Sequence, residues 1–416
     1  MTLPRVAATA RTRSASLPFA ALGVVFGTWA ARIPAVQLQA GLDDGALGLA
    51  LLGSAVGLVA SAVTAGAVIR RIGAHRATLI GTAALGAVIV TPGLATGLPS
   101  LAAALLLMGA ASGLMDVAMN AWAANVETAE IAVEARLGRS GGEILGACHG
   151  LFSLGGMAGA GIGAAAAALG VLPAVHFAAI GLGVAGVVVA RGVRHLDAHV
   201  PSPAGDSGPL VSLPSGPIAG LAALAFCALV VEGAVADWSA VFLADVLDAG
   251  PARAALGFAA FSATMAVARF ASDPLTAWLG GPGVGDRRLV RGGAAVGALG
   301  LAVAVAAGST AVAVVGFGLL GLGMAGVVPA LFRAAARAPG MGPGVGIAAV
   351  TGTGYVGFLA GPPLIGLLAD EVGLRAALVI PVALVALVAL GSTAAFRRAQ
   401  RTDEAPVSES APRPVA

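Results

Sequence analysis

The stretch "GLMDVAMNAWAAN", residues 113–125, sets Asp116 and Asn120 four residues apart inside an apolar run that opens near Leu101. On a helix that spacing puts both on one face, where an amide hydrogen-bonds a carboxyl in either protonation state. A carboxyl held this way, away from water, can bind and release a proton or grip a polar solute. The placement is costly: an ionised side chain at mid-membrane is worth at least ~2.5–3.5 kcal/mol against insertion unless it finds a partner, a cavity or a proton. The plainer alternative for Asp116 is a structural polar group satisfied by neighbouring helices.

Four more side chains meet the same test: His149, Arg32, Glu232 and Asp237. His149 and Asp116 both count to the same half of their segments and could share a depth, which makes His149 a second proton-handling candidate beside the alternative of a helix-bridging histidine. Arg32 and Glu232 count to nearly equal depth, with Asp237 further out. That predicts an Arg32 pair with Glu232 or Asp237, which would gate one side or grip a polar substrate through charge-assisted hydrogen bonds, the alternative being a permanent structural pair. Trp29, Trp238 and the only tyrosine, Tyr355, could stack on a ring-shaped solute or serve as core. Trp122 and Trp278, at segment ends, read as interfacial anchors.

The elements that position these groups follow from composition. The 416 residues are 58% hydrophobic and 10% charged, against about a quarter charged in soluble domains. Apolar segments recur at roughly 17–38, 46–69, 77–97, 99–123, 143–168, 171–193, 216–243, 254–278, 288–308, 310–335, 342–368 and 373–396. Each is long enough for a helix rising ~1.5 Å per residue to cross a ~30 Å hydrocarbon core. Period-two alternation is missing, which excludes a barrel. The expected fold class is therefore an all-α integral membrane protein with twelve transmembrane helices. The first segment has some features of a signal peptide, but the charge count favours keeping it as a span.

Lysine is absent, so every cation among the 23 is arginine. With the N-terminus inside, 19 arginines fall on inside segments, only Arg253 and Arg375 fall outside, and Arg32 and Arg269 lie within spans. Cytoplasmic loops retain positive charge, so both termini are expected in the cytoplasm, in a bacterial cytoplasmic membrane. The positive excess serves topology and the lipid bilayer; no basic domain suggests a nucleic-acid partner. Cys148 and Cys227 sit in spans, His195 and His199 in "HLDAH" lack a third ligand, and no P-loop occurs. No metal, cofactor or ATP chemistry is indicated, and no nucleophile and base at one depth suggest an enzyme.

The Pro-, Ser- and Gly-rich stretch "HLDAHVPSPAGDSGPLVSLPSGP" reads as a linker between two halves. The expected organisation is an N-terminal six-helix bundle over 1–195, a cytoplasmic linker over 196–215, a C-terminal six-helix bundle over 216–398 and a disordered cytoplasmic tail over 399–416. The halves repeat: "AGLDDGALG" at 40–48 aligns with "AGPARAALG" at 249–257, the same offset sets Trp29 on Trp238, and "GLFSLGGMAG" at 150–159 aligns with "GTGYVGFLAG" at 352–361. Parallel six-helix repeats are a transporter architecture.

These features resemble the major facilitator superfamily (MFS). The loop "GAVIRRIGAHR" is similar to that family's loop signature at Gly66, Arg71, Gly73 and Arg76, and departs at Arg70, where the family usually has aspartate. The usual acidic contact that latches one conformation is therefore in question here, and Asp273, ending the eighth span, is the substitute in the other half. "GFLAGPPLIG" in the eleventh span also resembles the family, with small residues for close approach and a bend expected at Pro362 and Pro363. Within the family the chain resembles the sugar-permease-like branch of fucose and rhizopine-type permeases, whose fourth helix carries an acid followed four residues later by asparagine. The aspartate that fucose permease adds on its first helix corresponds to Gln37 here, leaving Asp116 the main proton carrier. The resemblance implies two bundles rocking about a midplane site and proton-coupled symport of a small polar, sugar-like solute by a monomer. Proton-antiport efflux of drugs or metabolites is the alternative.

Overall fold

The computed structural model describes residues 10–136, 145–193, 216–339 and 343–400. The linker, the His195 and His199 pair and the C-terminal tail lie outside the described residues. No strand occurs among those described, and twelve helices are long and apolar enough to cross a membrane. They are α1 (Ser14–Ala40), α2 (Asp44–Ile72), α3 (Ala74–Leu94), α4 (Leu98–Ala129), α5 (Leu145–Ala168) and α6 (Pro173–Gly192), then α7 (Gly216–Val246), α8 (Pro251–Trp278), α9 (Val284–Ala306), α10 (Thr310–Ala336), α11 (Val345–Val372) and α12 (Leu374–Ala399). In lipid only a helix satisfies its own backbone, so each apolar run has this one solution. The bend expected at Pro362 and Pro363 does not interrupt the helix, which runs through both prolines.

The connections are set by local chemistry. Asp43 caps α2 by accepting the Ala46 N–H at 2.7 Å. Gly73, at φ +85°, ends α2 and turns the chain directly into α3, with its N–H donating to Ile69 O at 2.8 Å. Gly373, at φ +83°, makes the same turn between α11 and α12.

Packing follows the sequence repeat. In the first bundle α1 packs on α5, α2 on α4, and α3 on α4 and α6. In the second, α7 packs on α11, α8 on α10, and α9 on α10 and α12. Lipid gives little hydrophobic drive between helices, so close approach of small residues does the work. A Cβ at Gly27 would collide with the Gly156 carbonyl, so only glycine lets α1 and α5 come this close. The two bundles meet along α2 against α11, α5 against α8 and α1 against α7.

Candidate functional site

The seam between the bundles is tight at the end of the molecule poor in arginine. There α2 meets α11 backbone to backbone: a Cβ on Gly48 would lie 2.9 Å from both the Pro362 carbonyl and the Gly366 Cα. Residues 233–243 of α7 are all buried in the same half. Behind this closure the bundles enclose a cavity of about 270 Å³.

Its walls are largely aromatic and aliphatic, with Phe26 and Trp29 from α1, Phe152 from α5, Phe258 and Phe261 from α8, and Tyr355 and Phe358 from α11. The hydroxyls of Ser54, Ser112, Ser153 and Ser262 interrupt that lining. Three carboxylates, Asp116, Glu232 and Asp237, and one guanidinium, Arg269, also line it. A mostly apolar pocket with a few convergent polar groups is the usual form of a small-molecule site.

Asp116 and Asn120 share a helix face, as their spacing predicts. The Asn120 amide donates to the Asp116 Oδ1 at 3.1 Å and to its carbonyl at 2.9 Å. Tyr355, from the other bundle, lines the same cavity as Asp116. The site is therefore built from both bundles.

Arg32 differs from its sequence reading. Among the described residues it forms no ion pair with Glu232 or Asp237; its Nη2 donates to the Val171 carbonyl, between α5 and α6, at 2.6 Å. Equal depth did not bring the side chains together, because Arg32 turns within its own bundle to a carbonyl at the α5 end. The guanidinium that shares the cavity with Glu232 is Arg269 of α8, and no ion pair joins the two among the described residues. The sequence reading left Arg269 without a role, although an arginine inside a span carried the same signal as Asp116. Its Nη1 donates to the His149 carbonyl at 3.4 Å, while its Nε is buried without a partner.

The chain matches the family described as the Major Facilitator Superfamily over residues 16–342. It belongs to that superfamily. The MFS-type transporter of Yersinia pestis that it resembles is 33% identical over 357 residues, covering 86% of this chain and 88% of that protein. Membrane protein MosC of Rhizobium meliloti is 32% identical over 378 residues, covering 89% of this chain and 86% of that one. Among solved structures, a bacterial homologue of the human lysosomal transporter Spinster, in an inward-facing and unoccupied conformation, superposes with a TM-score of 0.72 at 13% identity over 94% of this chain and 98% of that one. The nucleoside transporter NupG gives 0.67 at 12% identity over 93% and 99%. The protein is thus a multi-pass MFS transporter of some solute, with the twelve-helix, two-bundle MFS fold, and not an enzyme.

Other residues singled out in the sequence divide within this MFS framework. Trp29 lines the cavity, whereas Trp238, its repeat partner, is fully buried outside the lining. Gln37 lies at the closed end, where its amide donates to the Asp44 carboxylate at 2.9 Å. His149 is also outside the lining, with its ring edge-on to Phe19 at 5.4 Å. Trp122, expected as an interfacial anchor, is instead buried and stacked on the His75 ring at 4.3 Å; Trp278 is exposed.

Proposed function

We propose that this MFS protein is a proton-coupled symporter. It moves a small polar, sugar-like solute across a bacterial cytoplasmic membrane by alternating access, as a monomer with both termini in the cytoplasm. The observation that carries the reading is Asp116: a carboxylate on the wall of a cavity sealed at one end, hydrogen-bonded by Asn120 and sharing that cavity with Tyr355 of the opposite bundle. A proton on that group changes what the bundles share, and a charge-dependent seam is what couples an ion to a conformational change. His149, nearer the arginine-rich end, stands on the route a proton would take to the cytoplasm.

The arginine bias supports an outside position for the closed end, and with it an inward-facing cavity. The Spinster homologue with the similar fold is described as inward-facing, which supports that orientation.

The test is transport in proteoliposomes under an imposed pH gradient across a panel of sugars, inositols and common drugs. Wild type accumulates its solute toward the alkaline side. In Asp116→Asn the accumulation falls to the equilibration level while solute exchange without a gradient persists. Full gradient-driven accumulation by the variant refutes the coupling role, and accumulation toward the acidic side replaces symport with antiport.

A further inference from the structure

The cavity's three carboxylates are not equivalent. Asp116 is hydrogen-bonded by the Asn120 amide, whereas Glu232 and Asp237 have no hydrogen-bond or ion-pair partner among the described residues. Asp237 is 8% exposed and lines the closed end of the cavity. It stands one and a half helical turns beyond Glu232 on α7, ~7.5 Å further along the axis. Against three carboxylates the lining supplies one guanidinium, so with a proton on Asp116 one negative charge is left uncompensated, and Asp237 is the more buried of the two remaining acids.

A buried carboxylate with no partner takes up a proton or meets a counter-charge, and with the coupling proton assigned to Asp116 the counter-charge is left for Asp237. The walls there are aromatic, with Trp29, Phe26, Phe258 and Phe261 all lining the cavity. Ring faces attract cations, most strongly when water is excluded. A neutral sugar could hydrogen-bond Asp237 but would leave its charge in place.

We propose that the solute carries a protonated amine, which Asp237 receives at the closed end of the cavity while the aromatic walls hold its body and the serines its hydroxyls. The inference rests on the transport reading and narrows its solute to organic amines. It also gives α7 two distinct tasks: Glu232 balances Arg269, and Asp237 recognises the solute.

The experiment uses purified protein in detergent and paired probes that differ in charge: glucosamine and glucose, 2-(dimethylamino)ethanol and 3-methylbutan-1-ol, tyramine and 4-ethylphenol. Binding is read from the rise in melting temperature with probe concentration. At least one amine should stabilise wild type with an affinity tenfold or more above that of its neutral counterpart. Asp237→Asn should abolish that preference, and Asp237→Glu should retain part of it. A second readout needs no variant: the stabilising amine, used as its N,N-dimethyl form so that it cannot itself couple to the activated carboxylate, should protect Asp237 of wild type from carbodiimide modification, scored by mass spectrometry, and its neutral counterpart should not. Neutral probes binding as well as amines, no amine binding better than its counterpart, amine preference surviving in Asp237→Asn, or no protection of Asp237 would each overturn the assignment. Failure of the coupling reading is separable, because Asp116→Asn would then still accumulate solute while the amine preference of wild type stands.

Discussion

The two bundles end differently at the arginine-rich face, although their helices pack alike. In the first bundle the turn from α2 to α3 carries Arg70, Arg71 and Arg76, all exposed and without a partner among the described residues. In the second the turn from α8 to α9 carries Asp286, which is fully buried. Its Oδ1 accepts the Arg333 Nε at 3.0 Å and Nη2 at 2.8 Å, and its Oδ2 accepts the Gly283 N–H at 3.0 Å and the Arg337 Nη2. Asp273 adds a looser contact to Arg333 at 3.6 Å. Both turns respect the helix dipole, with cations in the last turn of α2 and an acid in the first turn of α9. One does so through solvated charge and the other through a buried clamp tying α9 to α10. The first bundle's turn is therefore held by its backbone and the second's by its ions.

Removing the clamp acid should have the largest effect. Asp286→Ala removes the cap of α9 and leaves two guanidinium groups facing a void. Breaking a buried pair costs about 3–5 kcal/mol. Arg333 and Arg337 are 33% and 44% exposed and can turn toward water, so about 3 kcal/mol is expected. Thermal unfolding of the detergent-purified variant measures it, with Arg70→Ala as the counterpart in the other bundle, expected within about 0.5 kcal/mol of wild type. Equal losses in the two variants would dissolve the contrast between the turns.

This contrast also shows how far the sequence could be read. All twelve spans were legible, because in lipid a long apolar run has one stable form and its length is set by the bilayer. The repeat was legible too, since the α1 and α5 contact recurs as α7 and α11. The Asp116 and Asn120 pair was legible because both lie on one helix, where spacing determines contact. Partners on different helices were not. Arg32 and Glu232 have matching depths, yet rotation about each helix axis sends Arg32 to Val171 and leaves Arg269 as the guanidinium that shares a cavity with Glu232. For the same reason Asp273 was expected to be the second bundle's acid and Asp286 was passed over: in "GVGDRR" it looks like a solvated loop charge, and only the approach of α10 buries it.

An intermediate effect is expected at the turn that holds itself by backbone geometry. Gly73 combines φ +85° with ψ 152°, a region essentially confined to glycine. A Cβ there meets nothing within 4 Å, so Gly73→Ala isolates backbone strain from crowding. A loss of about 1–3 kcal/mol is expected, read as a lower melting temperature. Gly146→Ala, in a helix where a Cβ also meets open space, should stabilise by up to about 1 kcal/mol. A silent Gly73→Ala would mean that the α2–α3 turn is not held by its backbone.

The smallest effect sharpens the comparison most. Arg70→Asp puts an acid in the first bundle's turn, as the second bundle has at Asp273. Two terms oppose each other. The new carboxylate gains attraction to Arg71 and Arg76, worth about 0.2–1 kcal/mol at an exposed site. It also places negative charge on the C-terminal turn of α2 and removes a favourable cation there, costing about 0.3–1 kcal/mol for each change. The dipole enters twice and the exposed attraction is weakened by solvent, so a net loss below about 1 kcal/mol is expected. Unfolding at low and high salt separates the terms, because salt screens exposed charges. The difference between variant and wild type should shrink as salt rises. A gain in stability approaching the cost of Asp286→Ala would instead mean that the new acid had found a buried clamp, and that the two turns differ only in the residue they were given.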